Sequence, residues 1–168
     1  MIQLFLDLDG VLADFYGYYT KCFGGTLEQD DNSSPAWNKI RDHGNFFRTE
    51  PLMPDAMDLW WGSRKLYPKP IILTGIPYSI PNVKEQKTEW VWENFGYDVK
   101  VICCRSQDKY KHGKPGDILV DDRRKYENYW TKMGGIFIHH TSAHWSLIAL
   151  GGLYGRAGGS TSLPSTAY

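Results

Sequence analysis

Three apolar runs in this chain each end in acidic or hydroxyl side chains, and that repetition constrains the fold more than any other feature. Residues 2–6 (IQLFL) run into Asp7-Leu8-Asp9-Gly10. Ile71-Ile72-Leu73 runs into Thr74-Gly75, and Asp117-Ile118-Leu119-Val120 into Asp121-Asp122. Short apolar runs bounded by turn residues suit strands buried on both faces of a parallel sheet. Residues 99–104 and 135–138 supply two more such runs. Helical patterns are expected between them, over residues 11–23, 55–65, 83–94, 125–133 and 143–150. Strands alternating with helices predict an α/β fold with a parallel sheet between two helical layers. In an open parallel sheet, ligands bind beyond the carboxyl ends of the strands. The polar clusters should therefore converge, although they lie far apart in sequence. Four carboxylates in one crevice (Asp7, Asp9, Asp121, Asp122) repel each other, and a hard divalent cation relieves that repulsion. Oxygen-only ligands select magnesium over zinc.

The chain has 168 residues, enough for one domain at roughly 100–200 residues each. Lys plus Arg and Asp plus Glu both number 19, which argues against bulk nucleic-acid binding through net charge. The three cysteines include the adjacent Cys103 and Cys104 and form no CxxC, so reduced thiols in a cytoplasmic protein are expected. The N-terminus lacks the basic stretch of a signal peptide. No apolar stretch of about 18 residues suggests a membrane span. Residues 24–58 change character, with seven acidic residues against three basic ones and Trp37, Phe46 and Phe47 among them. Ser33-Ser34-Pro35 breaks this segment. The expected organisation is a core over 1–150, a small helical insertion at about 16–54, and a flexible Gly/Ser-rich tail over 151–168.

DLDGVLADF at 7–15, ILTG at 72–75 and DILVDDR at 117–123 resemble, in that order, the first, second and fourth motifs of the haloacid dehalogenase-like phosphatases. NFFRTEPLMPDA at 45–56, KTEWVWENFG at 87–96 and GGIFIHHTS at 134–142 are similar to the 5'(3')-deoxyribonucleotidases and related small phage and bacterial phosphatases. The resemblance implies a Rossmann-like three-layer fold with a helical cap and a magnesium-dependent phosphatase. It makes Asp7 the nucleophile, forming an aspartyl-phosphate, and Asp9 the general acid and then base. Magnesium would be held by Asp7, the Asp9 backbone carbonyl and Asp122, with Asp121 acting directly or through water. Thr74 and Gly75 would bind phosphate. The family's phosphate-binding lysine matches Lys109 best, then Lys87, with Lys111 as a further choice.

The family implies a small phosphorylated substrate, a nucleoside monophosphate in the nucleotidases. Phe15 stands where those enzymes place a base-contacting Phe, and Phe46 and Phe47 are candidates for the same pocket. Aromatic walls hold a base by stacking, at about 1–3 kcal/mol each. The plainer reading is that these rings pack the insertion onto the core. His139-His140 reads as structural, and the Trp60-Trp61 pair as packing. Other small phosphate esters, nucleic-acid 3'-phosphate ends, or a non-catalytic scaffold role are the alternatives.

Overall fold

The computed structural model describes residues 1–28 and 33–157. Five strands form one parallel sheet: β1 (Leu4–Leu6), β2 (Ile71–Gly75), β3 (Val101–Cys104), β4 (Ile118–Asp121) and β5 (Ile136–His139). Their order across the sheet is β3-β2-β1-β4-β5. β1 is central and pairs with β2 and β4, with Leu6 opposite Ile72 on one side and Val120 on the other. The chain moves outward from β1 through β2 to β3, then returns to the other side for β4 and β5. That reversal opens a crevice beside β1, the place where α/β sheets bind ligands.

Among the described residues, seven α-helices accompany the sheet: α1 (Phe15–Phe23), α2 (Ser34–His43), α3 (Phe46–Thr49), α4 (Ala56–Leu66), α5 (Val83–Phe95), α6 (Glu127–Lys132) and α7 (Ala143–Arg156). Alternate strand residues face opposite layers. Leu4 and Leu6 pack with Leu59 and Trp60 of α4, Trp90 and Val91 of α5, and Leu150 of α7. Phe5 and Leu119 face the other way, onto Trp130 of α6. Both sheet faces are therefore covered, as an all-parallel sheet requires. A separate cluster rich in aromatic rings joins α1, α2 and α3 through Phe15 and Tyr19, Ala36 and Ile40, and Phe46 and Phe47.

Three boundaries differ from the sequence reading. The helix expected from residue 11 begins at Phe15, because Asp14 accepts the Gly17 N–H at 3.1 Å and caps it. Ser33-Ser34-Pro35 starts α2 rather than breaking the segment, since proline is tolerated in a first helical turn. The last helix continues past Leu150 to Arg156, through glycines expected to begin the tail. The remainder of that tail, 158–168, lies outside the described residues. Among the described residues, no helix is long and apolar enough to cross a membrane.

Candidate active site

β1 delivers Asp7 between the ends of β2 and β4, and the Asp7 N–H still donates to Val120 O at 2.9 Å. The chain then doubles back. Leu12 and Ala13 N–H both donate to Leu8 O, at 2.8 and 2.9 Å, and Gly10 N–H donates to Ala13 O at 2.8 Å. Gly10 has φ +77°, and a Cβ there would run into the Asp122 carboxylate. Glycine alone permits both the turn and the close approach. Asp7, Asp121 and Asp122 are all buried, and each offers an oxygen within 4.8 Å of the others.

Two buried lysines enter this cluster. Lys109 sits on a 3₁₀ turn, Ser106–His112, that follows β3. Its Nζ lies 2.8 Å from Asp7 Oδ1 and 2.7 Å from Asp121 Oδ2. The other Asp121 oxygen accepts the Arg123 N–H at 2.9 Å. Lys87, on α5, donates to Asp9 Oδ2 at 2.7 Å, Gly75 O at 2.8 Å and Thr74 Oγ1 at 3.0 Å. An ammonium has three donors, so Lys87 is fully satisfied. Lys111 is exposed and paired instead with Asp108, at 2.8 Å.

Burial raises the Asp7 pKa, the Asp121 charge adds to this, and Lys109 opposes it. Burial also raises that of Asp9, against the pull of Lys87. For Lys109, burial acts downward, but Asp121 and Asp7 outweigh it and raise the pKa overall. Four carboxylates against two ammonium groups leave the cluster acidic when all are ionised, so a dication would complete its charge balance. Magnesium binds oxygens at about 2.0–2.1 Å, so small inward shifts would let Asp7 and Asp122 share one ion. The all-oxygen donor set and the tight Gly10 turn beside Asp122 fit such an ion.

The cluster floors a cleft of about 240 Å³, onto which Asp7, Asp9, Gly75 and Lys109 face. Phe15, Tyr16, Trp37 and Phe47 form one wall, and Tyr110, Tyr126 and Tyr129 another. Phe15 and Phe47 lie stacked, with centroids 6.1 Å apart and planes at 17°. Phe46 does not line the cleft. It is 1% exposed, wedged among Tyr18, Phe23, His43 and Phe47, so its expected substrate contact gives way to packing. Thr74 is fully buried just beneath the cleft, its hydroxyl engaged by Lys87.

Tyr16, Ser106 and Arg123 also line the cleft, and Glu50 lies close enough to Asp9 to feel its charge, although the sequence pattern gives none of the four a role. Ser106 arrives because β3 pairs with β2 and carries it against Gly75, where a Cβ would strike its hydroxyl. Glu50 is 5% exposed, and its Oε1 has no hydrogen-bond partner. No local motif marks Ser106, and Glu50 lies in the 45–56 stretch without a role read from it. The paired histidines fit a structural role. His139 Nε2 meets Asp122 O at 3.0 Å, and His140 Nδ1 meets Ser146 Oγ at 2.9 Å.

No family model matches the chain, and no curated protein matches it. Among solved structures, the chain is similar to a hydrolase from Streptococcus pneumoniae TIGR4. That likeness has a TM-score of 0.57 at 14% identity and covers 89% of this chain and 97% of the other. It establishes a shared α/β fold.

Proposed function

We propose that this protein is a magnesium-dependent phosphomonoesterase of the haloacid dehalogenase-like type, acting on nucleotide phosphates. The observation that carries the reading is the meeting of Asp7, Asp9, Asp121 and Asp122 with two buried lysines at the ends of three adjacent strands. The likeness to a hydrolase of the same fold agrees with it.

An Asp7 carboxylate oxygen attacks phosphorus, and the ester P–O bond breaks. The departing alkoxide takes the proton held by Asp9, whose raised pKa suits that role. Asp9 then takes a proton from water. The water oxygen bonds to phosphorus, and the acyl-phosphate P–O bond breaks to free Asp7 and inorganic phosphate. Splitting the transfer in two makes each step easier. Asp7, Asp122 and the Asp9 carbonyl would hold magnesium, which when bound would supply positive charge to offset that of the phosphoryl group. Asp121 keeps Lys109 aimed at Asp7, and Gly75 N–H binds a phosphate oxygen. Phe15 and Phe47 present the apolar wall for a base.

Phosphate release from a panel of nucleoside monophosphates and sugar phosphates, with magnesium or with excess chelator, tests the reading. Turnover should require magnesium, and Asp7→Asn should lower it by roughly 10³-fold or more while the protein stays folded. Full activity in chelator would remove the metal from the account. Half-activity in Asp7→Asn would remove the covalent route.

A further inference from the structure

The second wall of the cleft carries a strip of three tyrosines, Tyr110, Tyr126 and Tyr129. The rings of Tyr110 and Tyr129 lie 5.7 Å apart and those of Tyr126 and Tyr129 6.0 Å apart, both pairs with planes at 26°. Tyr129, in the middle, is 51% exposed. All three rings line the same cleft as Asp7 and Lys109. Cations flank the strip: Lys111 Nζ lies 5.8 Å from the Tyr110 ring centroid, and Lys125 Nζ 5.8 Å from that of Tyr126.

The exposed charge of the segment that carries these tyrosines is one-sided. Between Arg105 and Lys132 every exposed charged side chain is basic: Arg105, Lys111, Lys114, Arg124, Lys125 and Lys132. The acidic residues of that stretch are buried or half-buried. Asp108 and Glu127 pair with Lys111 and Arg124, at 2.8 and 2.7 Å, so basic side chains outnumber acidic ones on the surface of this stretch. The zero net charge of the chain thus conceals a basic excess here and an acidic excess in residues 24–58. Tyrosine rings on the cleft, the middle one half-exposed, together with basic side chains beside them, suit single-stranded nucleic acid, whose bases stack on aromatics while its backbone follows cations. A duplex keeps its bases stacked on one another and gains nothing from the rings.

We propose that the cleft takes the phosphorylated end of a single-stranded oligonucleotide, with the terminal phosphate at Asp7 and the following bases over Tyr126 and Tyr129. The assignment rests on the phosphatase reading for the terminal group, while the strip adds affinity of its own. Hydrolysis of that terminal monoester by water yields a hydroxyl end and inorganic phosphate.

The test measures dissociation constants in magnesium, using the full chain carrying Asp7→Asn so that the probe is not consumed. The probes are hexathymidylates phosphorylated at the 3' or 5' end, the unphosphorylated hexamer, and thymidine monophosphate. At least one phosphorylated hexamer should bind roughly 5-fold or more tighter than the mononucleotide, and more weakly as salt rises. Adding Tyr129→Ala should weaken hexamer binding roughly 5- to 150-fold, the factor for one stacked base. Tyr129→Phe should restore it, which a lost hydroxyl contact would not allow. Equal affinities for hexamer and mononucleotide would overturn the proposal, as would a Tyr129→Ala protein that binds as before. An unphosphorylated hexamer binding as tightly as the phosphorylated ones would also overturn it. If the binding results hold but the unsubstituted protein releases no phosphate from any probe, the oligonucleotide assignment stands and the phosphatase reading fails.

Discussion

Lys87 and Asp9 lie 78 residues apart in the chain and meet at 2.7 Å beneath the cleft. Lys87 is 1% exposed, so its charge has no recourse to water. It is held instead by Asp9, Thr74 and Gly75, which ties α5 to the ends of β1 and β2. Removing Lys87 takes the cation from Asp9, whose side chain keeps 24% exposure, so the cost is that of the lost charged hydrogen bonds, about 1.5–3 kcal/mol. Lys87→Met should cost that much in urea unfolding, and Lys87→Met with Asp9→Asn should cost less than the single change. A neutral Lys87→Met would mean that the pair is solvated in solution.

Magnesium should stabilise the fold independently of any turnover. A ligand that binds only the native state adds about 2.7 kcal/mol at a hundred times its dissociation constant. Thermal melts with increasing magnesium should therefore rise for the parent protein and stay flat for Asp122→Asn. A parallel rise in both would place the ion elsewhere.

Gly10→Ala should damage the site from the backbone. The position needs φ +77°, and the added methyl would collide with Asp122. Strain of this kind costs about 1–3 kcal/mol, and displacing Asp122 should weaken the magnesium-induced rise in Tm as well. Unchanged stability and an unchanged magnesium response would show that the turn relaxes freely.

Glu50 predicts a pH dependence of stability. Burial, and then the charge of Asp9, raise its pKa well above the ordinary 4.5. The unfolded chain releases this proton near the ordinary value, whereas the folded chain keeps it to higher pH. Between the two values the folded state binds the extra proton, so stability falls as pH rises. The contribution is fully present below the unfolded pKa and is lost as pH climbs through the folded one. Glu50→Gln should match the parent near pH 4 and exceed it at pH 8 in urea unfolding. A parent as stable as the variant at pH 8 would show that Glu50 finds a partner when ionised.

The parallel sheet and its chemical edge were legible in the chain because strand period and strand-end chemistry are local properties. Leu4–Leu6, Ile71–Gly75 and Ile118–Asp121 are continuous apolar runs since both their faces are covered, and each announces its polar exit. Asp7, Asp9, Asp121 and Asp122 could be named from that pattern alone. Other features depended on pairings that no local pattern encodes. Lys87 and Lys109 were singled out only through the family resemblance, since no local pattern separates them from other helix and loop cations. Their burial against different carboxylates follows from where α5 and the 3₁₀ turn cross the strand ends. Phe15, Phe46 and Phe47 were equivalent as aromatic residues of an insertion, and only packing turned Phe46 inward while leaving the other two on the cleft. Ser106 and Glu50 carried no role in the sequence, because strand pairing delivers one and only the closed fold buries the other. Side-chain periodicity is written residue by residue, whereas which charge meets which is settled by the register of strands and the crossing of helices. That long-range geometry exists only once the core has closed.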